Sequence, residues 1–181
     1  VIGYCSKACC KDTVAIGRCV TSSNDNAIAI GAVSCAGNCG IAIGYSANAN
    51  ADGAIRIGYS TSATTAGTYS IGIGTNASAC ASYSIAIGCS SEACKHGSIA
   101  IGPLSKACCF SSISIGSGAQ GNSLAIGPGA KSENLSSGAI AKTCIVYSTI
   151  FDIFNSNDDS DLSGLVRGVK HGRIKFVIPS L

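Results

Sequence analysis

The feature that most constrains this chain is a pentapeptide that keeps returning. Ser84-Ile85-Ala86-Ile87-Gly88 comes back as Ser98-Ile99-Ala100-Ile101-Gly102 and, slightly changed, as Ser112-Ile113-Ser114-Ile115-Gly116. Its glycine falls at Gly3, Gly17, Gly31, Gly44, Gly58, Gly74, Gly88, Gly102, Gly116 and Gly127, in steps of 14, 14, 13, 14, 16, 14, 14, 14 and 11. A degenerate copy, Ala139-Ile140-Ala141, lies 14 residues further on, with Ala141 in the glycine place. One turn of this length cannot bury its own apolar face, so the period requires stacked turns in which each covers the next.

Within a repeat the pattern is apolar, small, apolar. The outer positions are Val14 and Ile16, Ile28 and Ile30, Ile41 and Ile43, Ile55 and Ile57, Ile71 and Ile73, Ile85 and Ile87. Strand side chains alternate, so each pair shares a face, and β-branched residues suit a pleated surface. The middle position is Ala15, Ala29, Ala42, Gly72, Ala86, Ala100, Ser114 or Ala125. That face is small without being polar, which predicts a close packing partner. The glycine suits a tight turn at positive φ. Five residues past it comes another small residue (Ala8, Ser22, Ala36, Ala49, Ala63, Ala79, Ala93, Ala107), which predicts a second short strand on the return path. Gly in every turn and Ile-rich triplets argue against helix. Eleven rungs at roughly 4.8 Å give a rod of about 50 Å.

Composition agrees with a narrow stack. The 181 residues include 23 Gly and only 3 Pro, with 6% aromatic and 12% charged residues. Net charge is +3, too little and too evenly spread to argue for nucleic acid. No apolar run reaches the length of a membrane span. The chain has no Met and opens inside a motif, at Val1-Ile2-Gly3, which suggests a fragment or a processed product. Residues 1–142 form the repeat region. The step of 16 predicts a bulge around Thr61–Tyr69, and the step of 11 predicts the loss of most of one return strand. Residues 143–181 leave the pattern; Ile145–Phe151 and Arg173–Ile178 read as strands of a small C-terminal β cap or connector.

The Ser-Ile-Ala-Ile-Gly repeats with a small residue five places on resemble the head repeats of the trimeric autotransporter adhesins, the YadA-like head, a pattern also found in viral and phage fibres. The resemblance covers about residues 1–142. It implies an all-β, left-handed parallel β-roll assembled as a homotrimer, with the Ile pairs filling each roll and the small middle residues against neighbouring chains. It also implies a surface-attachment module that binds a host protein or glycan. Nothing in the residues themselves points to an enzyme, a cofactor or membrane insertion of this segment. Bacterial members are almost free of Cys, whereas this chain has 12, which turns the resemblance toward a fibre projecting from a virion rather than a cell surface. The alternative is a structural virion or envelope component, a spacer or cement protein without a receptor.

Several residues stand out as candidate sites. Cys80, Cys94 and Cys108 lie six places after successive motif glycines, and Cys5 and Cys19 lie two places after theirs. Stacking puts such residues about 5 Å apart, within reach of a disulfide. The other reading is Cys as a small apolar residue in a reducing compartment. Arg56 breaks the small-residue rule. If the middle face meets a trimer axis, three guanidiniums converge there and need an anion or acidic side chains. Tyr45 and Tyr59 share a repeat position, as do Tyr69 and Tyr83, which predicts stacked rings that pack as ladders or contact a ligand. Asp158, Asp159 and Asp161 sit in an oxygen-rich loop that could hold Ca²⁺ or simply be solvated.

Overall fold

The computed structural model describes residues 1–62, 67–135 and 138–140, and the backbone of residues 145–146. The chain divides into two units, residues 1–150 and 151–181. Most of the expected C-terminal cap, including the Asp158, Asp159 and Asp161 loop, lies outside the described residues.

Every motif triplet is a strand: Val14–Ile16, Ile28–Ile30, Ile41–Ile43, Ile55–Ile57, Ile71–Ile73, Ile85–Ile87, Ile99–Ile101, Ile113–Ile115, Leu124–Ile126 and Gly138–Ile140. All ten run parallel in one sheet. The register never slips: Ala86 lies opposite Gly72 on one side and Ala100 on the other. The return path carries two-residue strands, again parallel. Lys7–Ala8, Thr21–Ser22, Cys35–Ala36 and Asn48–Ala49 make one group. Ser78–Ala79, Glu92–Ala93, Lys106–Ala107, Gln120–Gly121, Lys131–Ser132 and Ile145–Val146 make the other. Ser62 joins the two groups by bridging Asn48 and Ser78. The described chain is therefore an all-β parallel solenoid, with no helix among the described residues.

Two corners close each full rung, and both use a left-handed residue. The first places Cys5, Cys19, Val33, Ser46, Ser60, Asn76, Ser90 and Leu104 at φ between 51° and 60°. The second does the same with Asp12, Asn26, Cys39, Tyr69, Tyr83 and Ser111. A β-branched residue such as Val33 pays a steric penalty there, and the stack above and below holds it in place. The motif glycine has a second reason besides its φ of about 130°. A Cβ on Gly88 would sit 2.6 Å from the carbonyl carbon and oxygen of Gly102 in the next rung, so only hydrogen fits between the stacked backbones. The motif serine is also explained. Ser84, Ser98 and Ser112 are buried and donate to the carbonyls three residues back, Ala81, Lys95 and Cys109, at 2.6–2.8 Å. Ser34, Ser91 and Ser105 do the same at the first corner. Each buried hydroxyl is thus satisfied within its own turn, on a carbonyl that also accepts the backbone N–H of the same serine.

The two faces of the main sheet are the reverse of what the resemblance implied. The small middle residues point into the roll: Ala15, Ala29, Ala42, Ala86, Ala100 and Ala125 are fully buried. They face the fully buried Ala36, Ala49, Ala79, Ala93 and Ala107 of the return strands. The Ile pairs point outward and are half-buried, with Val14, Ile57 and Ile115 more than a third exposed. The physical reason is the width of the interior. Ser22 Oγ on a return strand reaches Val14 O on the main sheet at 2.8 Å, and Ser114 Oγ on the main sheet reaches Lys106 O at 2.7 Å. A gap that one hydroxymethyl group can bridge has room for one alanine-sized residue from each side and none for an isoleucine pair.

The irregular rungs keep their pairing. Gln120–Gly121 stays in register with Lys106–Ala107 and Lys131–Ser132. The short rung therefore retains its return strand, contrary to expectation, and loses residues from its second corner instead.

Candidate functional site

The ten-stranded sheet presents a continuous aliphatic surface. Each full rung contributes two large side chains from the same two columns, because exact register puts Ile85, Ile99 and Ile113 in one line and Ile87, Ile101 and Ile115 in the next. Polar residues do not interrupt it between Val14 and Ile126. A monomeric soluble protein rarely exposes an unbroken apolar surface of this extent, so the face reads as an association surface.

The opposite, return-strand face is polar. Lys7, Thr21, Asn48, Ser78, Glu92, Lys106, Gln120 and Lys131 occupy its outward positions. Glu92 and Lys106, one period apart, form an ion pair at 3.1 Å. The hydrogen bond to Glu92, aided by its charge, holds the Lys106 ammonium above the ordinary lysine value. Sequence reasoning missed this pair, although its spacing of one rung was the available signal.

Aromatic residues line the corners. Tyr45 and Tyr59 stack at 5.4 Å with planes 10° apart, and Tyr69 and Tyr83 stack at 5.6 Å and 20°. All four are about half exposed. His96 adds an edge contact to Tyr83 at 5.3 Å, a third member that the repeat positions alone did not reveal. Parallel stacking in register makes each ladder a ridge of π surface facing solvent.

Arg56 is not on an outer face. It is fully buried inside the roll. Nη1 donates to Ile55 O at 2.8 Å and Ser70 O at 3.0 Å; Nη2 donates to Ser70 Oγ and Ala79 O, both at 2.8 Å. Nε has no hydrogen-bond partner among the described residues. Burial pulls the guanidinium down to about 10, against a smaller opposing effect of Cys80, so it stays charged at neutral pH. Room for it comes from Gly72, the one glycine among the buried middle positions, where a Cβ would lie 3.0 Å from Arg56 Cδ. An anion at a trimer axis is thus the wrong reading: the middle face is interior, and the terminal nitrogens of the fork are spent on neutral acceptors of the same chain. The Arg56–Gly72 pair could have been read from the sequence, because both exceptions fall at the same repeat position on neighbouring rungs.

Among the described residues no cysteine is joined in a disulfide. Cys80, Cys94 and Cys108 each follow the register-paired Ala79, Ala93 and Ala107 on consecutive return strands. Cys5 and Cys19 occupy left-handed corner positions and are exposed. Among the described residues, no group of three or more His, Cys, Asp or Glu side chains is placed to hold a metal ion. No described helix is long and apolar enough to cross a membrane.

Residues 40–61 and 66–88 match the family model of the YadA head domain repeat, in two copies. These segments carry the Arg56 and Gly72 rungs and both tyrosine ladders. Among curated proteins the chain has no match.

Proposed function

We propose that this chain is the head or shaft of a homotrimeric attachment fibre, displayed outside a virion or cell, in which the aliphatic faces of three rolls pack together and the polar faces and aromatic corners meet a host surface. The observation that carries this reading is the column pair of half-exposed aliphatic side chains that runs unbroken from Val14 to Ile126 over nine strands of the main sheet, opposite the polar return strands. The YadA head repeat match supports it. Burying such a face among three copies removes apolar surface from water along the whole stack. It also aligns three copies of every exposed residue, so weak contacts to a host protein or glycan add up by avidity. The Tyr45–Tyr59 and Tyr69–Tyr83 ridges are the surfaces best suited to such contacts, since aromatic residues are enriched in recognition patches.

Light scattering on the purified chain should give three chain masses, and the trimer should bind saturably to host cells, matrix proteins or arrayed glycans. Changing Ile85, Ile99 and Ile113 together to Asp should yield single chains and abolish avid binding. A trimer that binds no host surface but copurifies with other particle components would move the reading to a structural spacer or cement protein. A single-chain mass for the native sequence would defeat the assembly itself.

A further inference from the structure

The return-strand sheet holds three thiols in one column. Ala79, Ala93 and Ala107 are register partners. Each is followed by a cysteine whose amide continues the same ladder: Cys80 N to Ala93 O and Cys94 N to Ala107 O, both at 3.0 Å, and Cys108 N to Gly121 O at 3.4 Å. Consecutive residues in such a column are about 4.8 Å apart, inside the Cα range of a disulfide, whereas Cys80 and Cys108 are two rungs apart, about 9.6 Å, outside it. Cys94 is therefore the only member that can pair with either neighbour. Exposure differs along the column: Cys80 and Cys94 are half-buried and Cys108 is exposed. Burial, and then the neighbouring Cys108, Cys80 and Glu92, hold the Cys94 thiol above its ordinary value, against a smaller opposing effect of Lys106. That influence of both thiols on the middle one is what a stacked column produces.

We propose that Cys80, Cys94 and Cys108 form a redox ladder in which Cys94 is the shared partner of a single rung-to-rung disulfide. The oxidant is a small-molecule disulfide. The exposed Cys108 thiolate attacks one of its sulfurs, its S–S bond breaks, and one small thiol leaves. The Cys94 thiolate then attacks Cys108 Sγ, forming the Cys94–Cys108 bond and releasing the second small thiol, so two protein thiols are oxidised as one disulfide is reduced. The Cys80 thiolate, next in the column, can attack Cys94 Sγ and release Cys108, moving the bond to Cys80–Cys94 with no net oxidation. One thiol of the three always remains. The column lies on the sheet opposite the aliphatic face, so the bond links rungs of one chain and does not depend on the assembly proposed above.

The test uses the full chain, incubated with oxidised glutathione at neutral pH, alkylated and mapped by mass spectrometry and non-reducing gel, in a Cys109→Ser background that removes the adjacent thiol. The native column should protect two of its three thiols from alkylation, without a cross-link between chains. Cys80→Ser should retain Cys94–Cys108, and Cys108→Ser should retain Cys80–Cys94. Cys94→Ser should leave both Cys80 and Cys108 fully alkylated. Serine is compatible with this position, since Ser23 occupies it in another rung, and circular dichroism checks that the fold is kept. Alkylation of all three native thiols, a persistent glutathione adduct on Cys108, a link between chains, or protection of Cys80 or Cys108 in Cys94→Ser would each overturn the proposal.

Discussion

The two sheets of the roll share an interior and differ on everything outside it. Inward they are near mirror images: one small residue per strand, Ala100 from the main sheet beside Ala93 and Ala107 from the return strands, all fully buried. Outward, the main sheet shows paired isoleucines and the return sheet shows Lys, Glu, Asn, Gln and Cys. The core of the described roll is thus not where its large apolar residues are. A rung this narrow takes its stability from backbone stacking and alanine contact. Its large hydrophobic side chains are left half-buried on a surface, the face that the proposed trimer would cover. The ordinary rule that big aliphatics mark the chain's own interior fails here for lack of room.

The sharpest way to break that contrast is to put the same side chain on each side of the main sheet. Ala100→Ile, pointing inward, should cost about 3 kcal/mol or more by overpacking and leave little folded chain, as read by circular dichroism and thermal midpoint. Ile101→Ala, one residue on and pointing outward, should leave the folded signal of the single chain nearly unchanged and weaken self-association instead. If Ala100→Ile is tolerated and Ile101→Ala unfolds the chain, the assignment of faces is wrong.

The next largest effect concerns the one rung where the interior rule is broken. Gly72→Ala should destabilise the chain by about 2 kcal/mol, because its Cβ meets Arg56 Cδ at 3.0 Å in a packed interior. Arg56→Ala removes that conflict and leaves a void beside Gly72, at a similar cost of about 2 kcal/mol. The double change restores an ordinary alanine rung. Thermal denaturation should show it to be less damaging than the sum of the single changes by about 1 kcal/mol or more. Strict additivity would mean that the two exceptions are unrelated.

How much of this was legible in advance follows from the same residues. The strands, their parallel stacking and the recurrence of turns were all readable, because a 14-residue period with Ile-small-Ile and Gly allows few arrangements. The face assignment was not. Alternation places Ile85 and Ile87 together and Ala86 apart from them, yet it is silent on which side is inside. The hydrogen bonds of Ser22 and Ser114 across the interior decide that, and they depend on how closely two sheets approach. Arg56 was legible as an exception and illegible in its role, since the role depends on the same assignment.

The smallest expected effect lies on the polar face. Glu92 and Lys106 are well exposed, and such a pair contributes at most about 1 kcal/mol. Lys106 titrates above its ordinary value of 10.5 because of Glu92. With Glu92 ionised, as at neutral pH, the part of the stabilisation tied to the Lys106 charge is fully present up to about pH 10.5 and is lost as pH rises through the higher native value. Glu92→Gln should lower the thermal midpoint slightly at neutral pH and converge with the native chain in strong alkali. A large loss at neutral pH would mean that the polar sheet carries stability that the comparison of the two faces denies it.

The sequence by itself determined the repeat, the strand positions, the parallel stack and the column each residue joins, because a short period leaves a chain no other way to cover its apolar residues. It determined that cysteines and tyrosines would line up. Only the tertiary structure decided which side of the main sheet is inside, that Arg56 lies within the roll against Gly72, and that the thiol column faces away from the aliphatic surface. Those facts turn on the distance between two sheets, which is set by the left-handed corners and stacked backbones of the folded turn rather than by the alternation of side chains along a strand.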